Sequence, residues 1–227
     1  MSRGCAVIIP ALDEEANIGG VLADLRDHCS RVVVVDNGST DQTAAVAAAA
    51  GAVVVSEPRR GYGNAILAGM AHLTSDPPDV VVILDADGAD DVARLGDLVA
   101  PIVEGRADLV LSDRTRFAEP GALTTTQVFG NELATRLMHL AVGHPYRDLG
   151  PFRAVRWTSL VALQMRDPTW GWNVEMQMKA VRHGLRVAEV PVRYMPRRSG
   201  KSKISGTLRG SARAGVRILQ AVARYRR

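Results

Sequence analysis

A chain of 227 residues that is 47% apolar can bury one substantial core, which excludes a fibrous, low-complexity or disordered protein. Its formal charge of +4 hides an asymmetry: from Arg193 onward there are eleven basic residues and no acid, so the part before it carries about −7. The two cysteines, Cys5 and Cys29, are too few for a disulfide framework and match no zinc or redox spacing, so both read as buried, reduced thiols.

The run Gly4 to Leu12 contains Pro10 and meets three acids at Asp13 to Glu15, so it reads as a first strand and not as a signal peptide. Further β-branched runs follow at Val32 to Val35, Ala52 to Val55, Val80 to Leu84 and Leu109 to Leu111. Helical patterns lie between them at Asn17 to Cys29, Asp41 to Ala50, Asn64 to Thr74 and Val92 to Glu104. That alternation predicts parallel strands with crossover helices, buried on both faces. After Leu111 the rhythm changes. A longer helix is expected over Thr126 to Val142, a turn at Gly150-Pro151, a helix over Asn173 to His183 and a strand over Arg186 to Val192. In the basic tail, Leu208, Ala212, Val216, Leu219 and Ala223 recur at helical spacing with Arg209, Arg213, Arg217 and Arg224 beside them. Such a helix either packs its apolar stripe on the domain or rests on anionic lipid. Nucleic acid is not its expected partner, because no aromatics are interleaved. No charge-free stretch is long enough to span a membrane.

In an open parallel sheet, ligands bind beyond the carboxyl ends of the strands. There this chain is acidic: the first strand runs into Asp13-Glu14-Glu15, the second into Asp36, the fourth into Asp85 and Asp87. Converging carboxylates repel one another unless a cation joins them, and Asp85-x-Asp87 offers hard oxygen ligands suited to Mg²⁺ or Mn²⁺ on a diphosphate. Asp36 is either a turn residue preceding the second helix or a carboxylate that accepts hydrogen bonds from a base or ribose. Gly61-Tyr62-Gly63 precedes a helix, so it is either a backbone that approaches a nucleotide closely or a plain strand-to-helix loop. The five histidines show no ligand spacing. Trp170 and Trp172, near Tyr146 and Phe152, are candidates for an apolar wall or for core.

The series Ile9-Pro10-Ala11-Leu12-Asp13-Glu14-Glu15, Val35-Asp36-Asn37-Gly38-Ser39-Thr40-Asp41 and Leu84-Asp85-Ala86-Asp87-Gly88 resembles the family 2 glycosyltransferases, inverting enzymes of the GT-A fold. Asp148-Leu-Gly-Pro-Phe-Arg153, Gly171-Trp-Asn-Val-Glu-Met176, Glu189-Val-Pro-Val192 and Arg198-Ser-Gly-Lys-Ser-Lys203 resemble its dolichyl- and polyprenyl-phosphate sugar synthase branch. The resemblance implies a single α/β GT-A domain over 1–206, a Rossmann-like, mostly parallel sheet flanked by helices, with a nucleotide-binding half at 1–112 and an acceptor half and closing loop at 113–206. A basic helix follows over 207–227. It implies that Pro10, Ala11, Glu14, Asp36 and Gly63 bind the nucleotide-sugar, that Asp85 and Asp87 hold ribose and metal-bound diphosphate, and that Arg114 faces the acceptor phosphate. Arg198 and Lys203 would close over the donor. Where some relatives carry a Gln, this chain has Ala89, and the transmembrane helices of membrane-bound relatives do not follow.

A phosphate acceptor is already anionic near neutral pH, its second pKa being about 6, and needs no base. A hydroxyl acceptor needs one, and Asp148 or Glu175 are the candidates; each has a structural alternative, Asp148 as a turn cap and Glu175 as the partner of Lys179 or Arg182. The expected activity is thus metal-dependent transfer from a UDP- or GDP-sugar to a polyprenyl phosphate, at the cytoplasmic face and peripheral to the membrane. The alternative is a soluble enzyme acting on a hydroxyl of a small metabolite. A sugar nucleotidyltransferase would open with a Gly-rich loop after the first strand, which is absent, and a non-catalytic nucleotide-binding module would not require both Asp85 and Asp87. Donor sugar and oligomeric state are not legible in the sequence.

Overall fold

The computed structural model describes residues 4–29, 31–200, 216 and 219–225. Seven strands, β1 (Cys5–Ala11), β2 (Val32–Asp36), β3 (Val53–Ser56), β4 (Val80–Ile83), β5 (Leu109–Ala118), β6 (Arg153–Arg156) and β7 (Val187–Tyr194), form one sheet in the order β3-β2-β1-β4-β6-β5-β7. The helices are α1 (Glu15–Leu25), α2 (Thr43–Ala49), α3 (Tyr62–Leu73), α4 (Leu95–Val103), α5 (Thr125–Val142), α6 (Trp157–Ala162) and α7 (Trp172–Arg182).

The period-two alternation of a strand splits each run between two faces. In β1, Ala6 and Ile8 point into one core layer with α3, α5 and α7, while Val7, Ile9 and Ala11 point into the other with α1, α2 and α4. The strands read from the β-branched runs are present, and β1 to β4 pair in parallel as expected. The expected mostly parallel sheet is present, and one strand within it is reversed. β6 inserts between β4 and β5 and is antiparallel to both, with Arg153 opposite Ile83 and Leu111. β5 also outruns its apolar segment, reaching Ala118 because β7 pairs with it in parallel along its length.

α5 starts on a capping box, Thr124 Oγ1 accepting from Gln127 N at 3.2 Å while Gln127 Oε1 accepts from Thr124 N at 2.8 Å. It ends at Gly143, whose φ of 77° is the left-handed cap that glycine adopts at little cost. Cys5 and Cys29, 24 residues apart, meet with their Sγ atoms 3.1 Å apart near the amino end of β1, remote from the strand ends where the acids gather. Most of the basic helix expected over 207–227, and with it Leu208, Arg209, Ala212, Arg213 and Arg217, lies outside the described residues. Within 219–225, which is helical, Ala221 and Val222 are the buried residues, and Leu219 and Ala223 are exposed. The segment therefore packs on the domain through a face other than the Leu219 and Ala223 stripe expected from the spacing.

Candidate active site

The carboxyl ends of β1, β2, β4 and β5 open onto one cavity of about 1450 Å³. Pro10, Ala11, Glu14, Asp85, Asp87, Arg114 and Asp148, all named from sequence, line it. Asp36 is half-buried at the end of β2, its Oδ1 accepting from Ser39 N at 3.2 Å, and its neighbour Asn37 forms the wall. Asn37 is buried because it holds one loop at three points: Nδ2 donates to the carbonyls of Glu57 and Arg59 at 2.8 Å, and Oδ1 accepts from Gly61 N at 2.7 Å. That staple fixes the 57–61 loop leading into α3.

Gly61 and Tyr62 line the cavity, whereas Gly63 lies against the backbone of Asp167 and Pro168, and Asn64 N donates to Pro168 O at 3.1 Å. A Cβ at Gly63 would collide with the Asp167 carbonyl. Because the obstacle is backbone, Gly63→Ala is expected to cost about 1–3 kcal/mol of stability, read as a lowered urea midpoint. Of the aromatic residues considered for a wall, Trp170 lines the cavity, and Trp172, Tyr146 and Phe152 are core.

Three carboxylates crowd the end of β4. Asp87 is 7% and Asp90 4% exposed. Asp87 Oδ1 accepts from Ala89 N at 3.0 Å, and Asp90 Oδ2 lies 3.4 Å from Asp85 N. Burial, with the charge of Asp87 beside it, pushes Asp90 up to about 7. Burial and then the charges of Asp87 and Asp90 push Asp85 well above the usual carboxylate range. Asp90 Oδ1 is buried without a hydrogen-bond partner, an unmet demand for positive charge. A divalent cation fits this demand. Among the described residues no three His, Cys, Asp or Glu side chains are grouped to hold a metal, so Asp85 and Asp87 would share it with diphosphate oxygens and water, the usual Mg²⁺ arrangement at phosphate sites.

Proton linkage gives a test that needs no substrate. The metal-free fold retains protons on Asp90 and Asp85 that the unfolded chain releases above its ordinary carboxylate pKa of about 4. Its stability therefore falls as pH rises toward about 7. Thermal unfolding between about pH 5 and about pH 8 should show this decline, Asp90→Asn should flatten it, and Mn²⁺ should oppose it at the upper end.

A cation already reaches the cluster: Arg197 Nη1 lies 3.2 Å from Asp87 Oδ2 and its Nη2 lies 2.5 Å from Glu14 Oε1. Burial opposes the charge of Arg197, but Asp87 and Glu14 outweigh it and its pKa rises. The segment carrying it is strapped across the end of β4, with Met195 N donating to Ala89 O at 2.9 Å and Arg198 N to Asp87 O at 3.3 Å. Ser199 Oγ then donates to Asn17 Oδ1 at 3.0 Å. Successive side chains of an extended strap point opposite ways. Arg198, the residue named from sequence, turns over Gly88 and Gly20 to pair with Asp24 and is not in the cavity wall; Arg197 is. Lys203 lies outside the described residues.

On the other side Arg114 is held by Asp148, Nε to Oδ2 at 2.7 Å and Nη2 to Oδ1 at 2.8 Å, with Arg114 N also donating to Oδ2 at 3.0 Å. The guanidinium stacks 4.8 Å above the Tyr194 ring. Burial pushes Asp148 up, but Arg114 outweighs it and its carboxyl is held below the usual range. Asp148 is itself fixed from behind, its carbonyl accepting from Gln177 Nε2 at 3.0 Å, while Asn131 of α5 accepts from Leu149 N at 2.9 Å. Arg153, fully buried, donates to the carbonyls of Gly150 and Pro151 and so holds the turn after Asp148. Glu175 lies in the core: its oxygens accept from Arg166 N, Asp167 N and Lys179 Nζ. That is the structural alternative foreseen with Lys179, and Glu175 does not line the cavity.

Residues 6–156 match the family described as Glycosyl transferase family 2. The chain is 42% identical over 209 residues to an uncharacterized glycosyltransferase of Mycobacterium tuberculosis, covering 90% of this chain and 91% of that protein. It is 34% identical over 212 residues to the dolichyl-phosphate hexose transferase of Haloferax volcanii, covering 91% and 89%. Glucosyl-3-phosphoglycerate synthase from Mycobacterium tuberculosis, solved with Mn²⁺, UDP-glucose and glycerol 3-phosphate, aligns with a TM-score of 0.75 at 26% identity over 97% of this chain and 80% of that one. The matched span contains β1, β2 and β4 with the acids that follow them, and Arg114 with Asp148 as well; this chain is a glycosyltransferase and belongs to family 2.

Proposed function

We propose that this enzyme moves one sugar, with inversion, from a UDP- or GDP-linked donor to a polyprenyl phosphate at the cytoplasmic face of a membrane. The observation that carries the reading is the mixed lining of the cavity. Asp85, Asp87, Arg197 and Arg114 line it, and so do the apolar Val128, Phe129 and Leu133 of α5 and Leu219. A phosphate-headed lipid has a charged and an apolar part, whereas a small polar metabolite has no use for the apolar wall.

In this mechanism Pro10, Ala11 and the Asn37-stapled loop receive the nucleoside, and Asp85 and Asp87 would hold Mg²⁺ or Mn²⁺. The metal supplies charge neutralisation of the leaving group. Arg197 adds a second positive charge beside Asp87, where negative charge develops as the C1–oxygen bond breaks. Arg114, oriented by Asp148 and Tyr194, presents its guanidinium edge to the acceptor phosphate, whose anionic oxygen attacks C1 from the opposite face. No general base is required, since a phosphate monoester is already ionised near neutrality. Asp148 acts here as a positioning residue, both of its oxygens being engaged by Arg114.

The test is nucleotide release with Mn²⁺ from UDP- and GDP-sugars, with a short-chain polyprenyl phosphate, with glycerol 3-phosphate, or with neither. Release dependent on the polyprenyl phosphate supports the reading and identifies the donor. Release stimulated by glycerol 3-phosphate alone replaces the lipid with a small metabolite.

A further inference from the structure

We propose that the outer face of α5 is a docking surface for an anionic phospholipid bilayer, laid flat so that the cavity opens into the lipid along its apolar wall. The inference rests on the polyprenyl-phosphate reading and adds where the enzyme meets its acceptor. α5 is anchored to the core by Ala134, Thr135 and Met138. On its far side Phe129, Leu133 and Leu140, at spacings of four and seven, make one stripe with Arg136 between them. Phe129 is 67% and Leu140 81% exposed, exceptional for side chains of this size. No helix among the described residues is long and apolar enough to cross a membrane, so a helix of this kind lies in the interface plane.

Continuity and charge decide the occupant. Phe129 and Leu133 belong both to the stripe and to the cavity wall, and Leu219 lines the same wall, so a chain leaving the cavity emerges onto the stripe. A polyprenyl tail emerging there has to remain in hydrocarbon, which a bilayer supplies. Arginines flank the stripe. Arg136, exposed within it, pairs with Glu132 at 2.6 Å, and exposed Arg147, tied to α5 by Asn131 Nδ2, which donates to its carbonyl at 2.9 Å, lies 3.8 Å from the buried Asp113. From Arg193 onward the sequence carries eleven basic residues and no acid. That excess of positive charge complements anionic headgroups.

The experiment uses the full chain with sedimented vesicles of phosphatidylcholine alone and of phosphatidylcholine with phosphatidylglycerol, containing no acceptor. Binding is expected only with phosphatidylglycerol. Arg136→Glu/Leu140→Glu, at two positions outside the cavity wall, should weaken it about tenfold or more while leaving turnover of a water-soluble, short-chain polyprenyl phosphate unchanged. No binding by the wild type, or equal binding by the variant, overturns the proposal. So does a wild-type dimer that the variant dissociates without losing vesicle affinity, because the face is then covered by a second copy. Failure of the acceptor reading is seen separately, as absence of turnover with the short-chain acceptor in a protein that still binds vesicles.

Discussion

Replacing Asp87 with Asn is expected to lower turnover by about 10²–10³-fold, the usual loss when one preorganised charge is removed from a developing oxyanion. The substitution keeps shape and removes charge. In the wild type Asp87 is 7% exposed and 3.2 Å from Arg197 Nη1, so Asn leaves Arg197 with Glu14 alone and removes one of the two carboxylates suited to the metal. Two measurements separate these consequences. Titration calorimetry with UDP or GDP should show the Mn²⁺-dependent gain in nucleotide affinity abolished, while metal-free binding persists. Wild-type turnover at saturating Mn²⁺ would instead mean that the metal is held elsewhere.

The second large effect concerns stability as well as activity. Asp148→Asn is expected to cost about 3–5 kcal/mol, because it leaves the nearly buried Arg114 without its bidentate anion. The pair itself is not the source of stability, so Arg114→Met/Asp148→Leu, of similar volume and apolar, should regain most of that loss in urea unfolding. Activity should not return with it, since the guanidinium proposed to face the acceptor is gone. If Asp148→Asn instead folds as stably as the wild type yet loses all turnover, Asp148 takes a proton in the reaction, and the acceptor is a hydroxyl.

Much of this was legible in the chain because burial on both faces writes a strand as an apolar run, and Val32 to Val35 or Val80 to Leu84 can hardly be read otherwise. The acids beyond those runs marked the sheet edge onto which the cavity opens, because strand ends are where side chains of a two-faced sheet escape burial. β6 was not legible. Its four residues, Arg153 to Arg156, are half arginine, and Arg153 is buried only because its guanidinium satisfies the carbonyls of a turn that the strand itself positions. α6 follows it without a capping signal. Arg197 and Arg198 are indistinguishable in sequence, and only the pairing of the strap with Asp87 and Ala89 decides which of two neighbours enters the cavity. Asn37 was hidden for a similar reason, since its three partners lie 20 to 24 residues away.

The reversed strand has a consequence for how such an enzyme diversifies. Because β6 is antiparallel to its neighbours, its first residue, Arg153, lies beside Ile83 and Leu111, at the edge where the carboxylates gather. The chain that leaves β5 at that edge and the chain that enters β6 therefore begin and end on one rim, and residues 119–152 form an excursion above it that never crosses the sheet. α5 and Asp148 both belong to this excursion, while Glu14, Asp85 and Asp87 belong to the parallel part of the fold. Lengthening or exchanging the excursion leaves every strand pairing intact, so one wall of the cavity can vary while Glu14, Asp85 and Asp87 stay where the parallel strands put them.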